Sequence, residues 1–167
     1  MSRHRAVRTL LVLVLALALP LQARAAQVIE GVVVRVSDGD TLWVAPDGAR
    51  RKPLKVRLAG IDAPERCQAD GEQARSALAA HVLQRRVEVQ VRARDGFGRL
   101  VARVVADGED VNAWIVARGH AWSPGWQHQP GPYAREEREA RVAKRGLFAQ
   151  AAPVEPRRFR RMHGACR

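Results

Sequence analysis

The sequence has few cysteines and no long apolar run, and both absences restrict what the protein can be. Only Cys67 and Cys166 occur in 167 residues, so the chain can form one disulfide or keep two free thiols, and an oxidising compartment favours the disulfide. The apolar run at residues 9–19 is too short to cross a bilayer. The histidines are scattered without metal-ligand spacing, which disfavours a histidine-based metal site. We find no internal repeat.

The short apolar run lies in a segment typical of an export signal. Three arginines precede it, and the small-x-small sequence Ala23-Arg24-Ala25 follows it. This order predicts a signal peptide over residues 1–25 that is cleaved after Ala25, with an uncleaved anchor as the alternative. We therefore expect an exported protein, periplasmic or secreted, whose mature form has no membrane contact.

Basic residues outnumber acidic residues by 29 to 17, which gives a net charge of +12. Four of the arginines lie in residues 1–25, so the mature chain stays strongly basic. An exported basic domain favours polyanions such as nucleic acid, although solubility alone also accounts for such a charge. The length suits one domain. We expect this domain at residues 26–150, followed by a basic, flexible tail at residues 151–167.

Alternating apolar residues and turn signals predict five short strands and three helices. The strands are expected at residues 28–36, 42–44, 51–60, 87–91 and 100–106. Asp70 is expected to cap a helix that continues to Val82, and two more helices are expected at residues 111–119 and 133–145. A helix between the third and fourth of five strands predicts an α+β, mainly β fold, a closed five-stranded barrel of the oligonucleotide-binding (OB) type.

Residues 56–65 end a predicted strand with a group of charges that core packing does not require. Pro64 lacks a backbone donor and biases the preceding residue away from helix, so the strand stops at Asp62. The turn then holds Asp62 and Glu65 close to Arg57 of the same strand. A guanidinium can bind two phosphodiester oxygens at once. The carboxylate of Glu65 can hold or deprotonate a water, or it can be a salt-bridged surface group.

A second pair of carboxylates follows the first predicted hairpin. Asp40 leaves this hairpin next to the strand that ends at Asp62, and two aspartates, a main-chain carbonyl and waters suit a hard cation such as Ca²⁺. The sequence Asp38-Gly39-Asp40 taken alone is more often an ordinary hairpin turn. The two motifs together favour a cation site more strongly than either does alone, because each ends a strand of the same sheet. Arg99, after a Gly-Phe-Gly turn, is a second candidate phosphate ligand.

Three separated motifs resemble those of the staphylococcal nuclease (thermonuclease) family of secreted bacterial nucleases. They are Asp38-Gly-Asp-Thr41, Arg57-Leu-Ala-Gly-Ile-Asp-Ala-Pro-Glu65 and Asp95-Gly-Phe-Gly-Arg99, and the similarity covers residues 28–149. The resemblance implies a five-stranded OB-fold barrel with three helices. It also implies calcium-dependent hydrolysis of DNA and RNA, in which the 5′ P–O bond breaks and 3′-phosphate ends remain.

The resemblance implies a role for each matching residue. The implied metal ligands are Asp40, Asp62 and the main-chain carbonyl of Ala63, and the implied catalytic residues are Arg57, Glu65 and Arg99. In this scheme the arginines stabilise the phosphorane-like transition state. The glutamate positions or deprotonates the attacking water.

The sequence departs from the family where the best-known member contacts the ends of its substrate. The turn before Arg99 lacks the lysine and tyrosine that bind a terminal phosphate there. Phe97 or Trp126 are the candidates for stacking on bases, with burial in the core as the alternative for both. We expect nucleic acid as the partner, DNA and RNA with single strands favoured, bound by a monomer. The rival functions are a non-catalytic nucleic-acid-binding OB-fold module, which would lack these acids and arginines, and a charge-driven polyanion binder.

Overall fold

The computed structural model describes residues 27–48, 52–164 and 166. The predicted signal peptide at residues 1–25 lies outside these ranges. The described strands are β1 Gln27–Asp38, β2 Thr41–Pro46, β3 Leu54–Leu58, β4 Arg86–Arg94, β5 Leu100–Ala106 and β6 Glu109–Asp110. The described helices are α1 Gly71–Val82, α2 Val111–Ala117, α3 Ala134–Val142, the 3₁₀ helix Gly146–Ala149 and α4 Pro156–His163.

The first five strands close into a mixed barrel. The antiparallel order is β3-β2-β1-β4-β5, and β5 then pairs in parallel with β3, which closes the ring. Strand β6 pairs with Val105 and Ala106 at the end of β5, beyond the residues of β5 that pair with β3. Closure leaves no long free edge among these five strands. The OB-type fold expected from the sequence is confirmed.

Alternation of side chains along the strands places the core inside the barrel. In β5 every second residue is buried, from Leu100 to Ala106, as expected for a strand with one face on a core. Helix α1 covers the interior with its stripe of Ala74, Leu78 and Val82, all fully buried. The helix expected to continue to Val82 is therefore present.

The short helix α2 is fixed at both its start and its first turn. The Asp110 carboxylate accepts hydrogen bonds from the backbone N–H groups of Asn112 and Ala113, which satisfies two otherwise unpaired donors. The buried Asn112 amide then donates to the carbonyls of Ala59 at 2.9 Å and Ala102 at 3.2 Å. This side chain ties the helix to the residue that follows β3 and to the middle of β5, beside the turn that leads to Asp62.

Two expectations about the helices are wrong. The described residues contain four α-helices rather than three. Asp70 does not cap α1 with its side chain, because its backbone is left-handed (φ 63°) and its carboxylate pairs instead with the Gln150 amide. No helix in the described ranges is long and apolar enough to cross a membrane.

The structure contains a helix within residues 151–167, the segment expected to be a basic, flexible tail. Residues Pro156–His163 form helix α4, with Pro156 buried at its first turn, where a missing N–H costs no hydrogen bond. The sequence conceals this helix because seven of its eight residues are not buried. The disulfide expected from the sequence is present, and it joins Cys166 to Cys67 in the loop after Glu65.

Candidate active site

The barrel places Asp40 and Arg57 side by side. Thr41 of β2 lies opposite Arg57 of β3 in the ladder, and the Leu58 N–H donates to the Asp40 carbonyl at 2.8 Å. The Arg57 Nη1 atom is then 2.9 Å from Asp40 Oδ2. Asp40, which was expected beside the strand that leads to Asp62, therefore lies next to Arg57 of that strand.

Asp40 is buried, and its charge depends on cationic neighbours. The residue is 4% exposed, and the Thr41 hydroxyl donates to its Oδ1 atom at 2.8 Å. Burial raises the pKa of Asp40 from 3.8 to about 7, with the nearby Asp38 adding to the rise and Arg57 opposing it. An additional positive charge at this position would stabilise the ionised carboxylate.

A pair of backbone hydrogen bonds holds Asp62 in place. The Asp62 N–H donates to the Trp122 carbonyl at 3.0 Å, and the Trp122 N–H donates back at 2.9 Å. The Asp62 side chain accepts from Arg57 Nη2 at 3.2 Å. Arg57 therefore joins the two aspartates expected to bind a metal, with one nitrogen on each.

A small pocket of about 70 Å³ brings most of the predicted site residues together. It is lined by Asp38, Asp40, Arg57, Ala63, Pro64, Glu65 and Arg99. The chain packs tightly beneath it, since a Cβ atom on Gly39 would lie 2.7 Å from the Ala63 methyl group and 2.8 Å from that of Ala74. Glycine at this position allows the first hairpin to approach the turn that carries Ala63 and Glu65.

Arg99 reaches the pocket while paired with another carboxylate. Its Nε atom is 2.7 Å from Asp95 Oδ2, within the same turn. The Phe97 ring lies under this guanidinium, with its centroid 5.4 Å from the central carbon. Phe97 is 87% exposed, so it is not part of the core, and its visible contact is with Arg99.

Trp126 lies away from the small pocket, in a wider cleft beside it. This cleft has a volume of about 620 Å³ and is lined by Arg57, Asp62, Trp122, Trp126 and Arg160, among others. Trp126 is 72% exposed, whereas Trp122 is buried against the Phe148 ring. An exposed indole at the rim of a cleft has a free face on which a base can stack.

Sequence reasoning missed a third arginine at the site. Arg160 of α4 donates from Nη1 to Glu65 Oε1 at 2.9 Å and to Asp62 Oδ1 at 3.1 Å, and from Nη2 to Asp62 Oδ2 at 3.0 Å. The hydrogen bonds to Asp62 are the largest cause of a raised pKa at Arg160. The one sequence signal for this contact was the second cysteine, which brings the end of the chain to the loop after Glu65.

The donor set fits a hard divalent cation bound by few protein ligands. The described residues contain no group of three or more His, Cys, Asp or Glu side chains arranged around a metal position. The site instead offers the Asp40 carboxylate, with Ala63 in the wall of the same small pocket, and the Asp62 carboxylate, which lines the neighbouring cleft and which Arg57 joins to Asp40. Oxygen ligands of this kind, completed by waters and substrate, suit Ca²⁺ or Mg²⁺ and not Zn²⁺.

Comparison with known proteins gives a consistent set of matches. A family model described as staphylococcal nuclease homologue matches residues 55–150. An uncharacterized endonuclease of Haemophilus influenzae is 37% identical over 130 residues, which are 77% of this chain and 71% of that protein. A micrococcal nuclease of Shigella flexneri is 35% identical over 142 residues, or 78% of this chain and 80% of that protein. A probable staphylococcal-like nuclease of Oryza sativa subsp. japonica is 34% identical over 115 residues, which are 69% of this chain and 31% of that longer protein.

Proposed function

The chain belongs to the staphylococcal nuclease family and is a nuclease, and on that basis we propose that it cleaves both DNA and RNA with calcium as its cofactor. The observation that carries the proposal is the pocket in which Asp40, Arg57, Glu65 and Arg99 meet. Arg57 joins Asp40 to a second carboxylate, that of Asp62, which stands beside this pocket. This arrangement offers a cation site, phosphate-binding groups and a carboxylate for a water within one small volume.

We assign the cation to Asp40, Asp62 and the main-chain carbonyl of Ala63. A bound Ca²⁺ would supply positive charge to the phosphate oxygens and help to orient the attacking water.

Arg57 and Arg99 bind the scissile phosphate. Each guanidinium can donate two parallel hydrogen bonds to the phosphate oxygens, and these bonds strengthen as negative charge builds on the equatorial oxygens in the transition state. Arg57 now donates to Asp40 and Asp62, and Arg99 to Asp95. These carboxylates already hold both guanidinium groups within the pocket. A bound phosphate would replace one carboxylate partner of each arginine.

Glu65 acts on the water. Its carboxylate lines the same pocket as the two arginines and is partly exposed, so water can reach it. As general base or water ligand, it directs the oxygen at phosphorus while the 5′ oxygen leaves, and the product keeps a 3′-phosphate. Trp126 stacks on a base of a single-stranded substrate at the rim of the neighbouring cleft, and Phe97 does so beside Arg99.

Export, the monomeric state and the preference for single strands complete the proposal. The segment at residues 1–25 supports export to the periplasm or the medium.

The test is digestion of single-stranded DNA and RNA by the mature chain, with calcium and then with excess chelator, followed by analysis of the product ends. We expect cleavage that requires calcium and leaves 3′-phosphates. Glu65→Gln should lose activity by about 10²- to 10⁴-fold, while Glu72→Gln, which removes an exposed carboxylate of α1, should retain it. Tight binding of DNA without cleavage at any calcium concentration would contradict the proposal.

A further inference from the structure

The Glu65 carboxylate is held by a residue from the far end of the chain. Arg160 Nη1 donates to Glu65 Oε1 at 2.9 Å, across 95 positions of sequence. In the described part of the chain no other side chain forms an ion pair or hydrogen bond with this carboxylate. The orientation of Glu65 therefore depends on Arg160.

The same guanidinium holds Asp62. Arg160 grips both oxygens of this carboxylate, Nη1 on Oδ1 at 3.1 Å and Nη2 on Oδ2 at 3.0 Å. Such a fork-shaped, charge-assisted contact fixes direction as well as distance. Arg160 consequently sets the position of Glu65 relative to Asp62, two carboxylates that would repel one another without a cation between them.

Helix α4 is attached to the loop that carries Glu65. Cys166, just after the helix, is bonded to Cys67, and the Gln68 amide donates to the Val154 carbonyl, just before the helix, at 2.6 Å. Pro156 is buried at the first turn. Both ends of α4 are thus fastened within three residues of Glu65, independently of Arg160.

We propose that Arg160 is a positioning residue of the nuclease reaction: it holds Glu65 and Asp62 in register, and the Cys67–Cys166 disulfide holds Arg160 there. The inference rests on the proposed role of Glu65. Groups that act on a reacting atom must be held within about 0.5 Å and 10–20° of the productive geometry. Without Arg160, Glu65 loses its one fixed partner and rotates freely in a partly open pocket.

The first test compares steady-state kinetics of the mature chain with those of Arg160→Ala. We expect kcat to fall about 10- to 100-fold, the range for partners that orient an active group, with KM little changed. Arg161→Ala is the matched control, because Arg161 is the exposed neighbour on the same helix and its loss removes the same charge. Its kcat should equal that of the wild type.

Chemical rescue separates positioning from a merely structural role. Added guanidinium ion should restore part of the kcat of Arg160→Ala and should not affect Arg161→Ala. Arg160→Lys should keep the charge but recover less, since a single ammonium cannot grip both oxygens of Asp62 and Glu65 together. The thermal midpoint of Arg160→Ala should stay close to that of the wild type.

Removal of the disulfide gives an independent test of the proposal. Cys166→Ser should lower kcat in the wild type and should have little further effect in Arg160→Ala, because both changes remove the same contact. Calcium affinity, measured by calorimetry, should not tighten in either variant.

Three results would overturn the inference. Wild-type kcat in Arg160→Ala would show that Glu65 needs no partner. A higher kcat or tighter calcium binding in that variant would show that Arg160 blocks the site. A loss of kcat that is not rescued and is accompanied by a lower thermal midpoint would show a structural role. Failure of the wild type itself to cleave is a separate outcome, which rejects the proposed function and this inference with it.

Discussion

The two sides of the active site are built in different ways. Asp40 and Arg57 lie on adjacent strands, and their positions follow from the pairing of Thr41 with Arg57 in the barrel. Glu65 and Arg160 lie on a loop and on an eight-residue helix, joined by hydrogen bonds and one disulfide. One side is fixed by the fold, and the other by a few local attachments.

This difference shows which part of the site can move while the barrel stays folded. The barrel side shares its strands with fully buried core residues such as Val56 and Leu58, so a shift of Arg57 requires the core to move. The α4 side buries only Pro156 of its own helix. Local opening of α4 therefore costs far less than opening of the barrel.

The largest effect on activity is expected on the barrel side. Arg57→Ala removes a guanidinium that joins the aspartates and that, in the proposed mechanism, binds the phosphate, so kcat should fall by about 10²- to 10³-fold, more than for Arg160→Ala. Arg92→Ala, an exposed arginine of β4, serves as the control. Steady-state cleavage assays measure both. Equal losses of kcat in Arg57→Ala and Arg160→Ala would contradict the proposal that the barrel side contributes more to activity than the α4 side.

The same ranking is expected for stability. Leu58 is 0% exposed on the strand that closes the barrel, and Leu58→Ala should reduce the free energy of unfolding by about 2–5 kcal/mol. Phe159→Ala, in the partly exposed α4, should cost clearly less. Urea unfolding followed by fluorescence measures both free energies. A larger loss for Phe159 would mean that α4 belongs to the cooperative core.

Reduction of the disulfide should affect one side only. With Cys67–Cys166 broken, amide hydrogen exchange in residues 156–163 should accelerate, because α4 keeps few buried contacts. Exchange in the strands of the barrel should stay slow. Acceleration of equal size in β1 to β5 would show that the bond stabilises the whole domain.

The smallest effect concerns pH. Burial lowers the pKa of His120 below its ordinary 6.5, and its Nδ1 atom is buried without a hydrogen-bond partner in the described structure. Below pH 6.5 the unfolded chain therefore binds a proton that the folded chain does not, so stability should decrease as the pH falls from 6.5 towards the folded pKa. His120→Gln should flatten this slope in urea titrations at several pH values, and the exposed His128→Gln should not. An unchanged slope in His120→Gln would assign the effect to other groups.

The sequence predicts the barrel side well, for physical reasons. Alternation of apolar residues in strands such as Leu100–Ala106 reports directly on burial, and strand pairing then brings Asp40 to Arg57. Strand β3 ends at Leu58, earlier than the expected end at Asp62, because the chain turns at residues 59–60, where Gly60 has a positive φ, before it reaches Asp62 and Glu65. Local rules suffice because the residues involved are close in sequence or opposite one another in the barrel.

The other side depends on contacts that local patterns do not report. The arginine-rich stretch around Arg160 has the composition of a solvated tail, and it forms a helix because its ends are fastened to residues 67 and 68. Local patterns also fail for Phe97 and Trp126, because residue type alone favours burial of aromatic side chains and these two are exposed. Asp70 has the identity of a helix cap, but its left-handed backbone and its pairing with Gln150 prevent that role.

The disulfide also sets the order in which the two sides of the site can form during synthesis. Cys166 is synthesised 99 residues after Cys67, after every strand and helix described here. The barrel can close around Asp40 and Arg57 while Glu65 still lacks its tethered partner. A chain interrupted before Cys166 can thus fold its barrel but cannot form the disulfide that holds Arg160. The disulfide therefore forms only in chains whose synthesis has passed α4, the last element of the site.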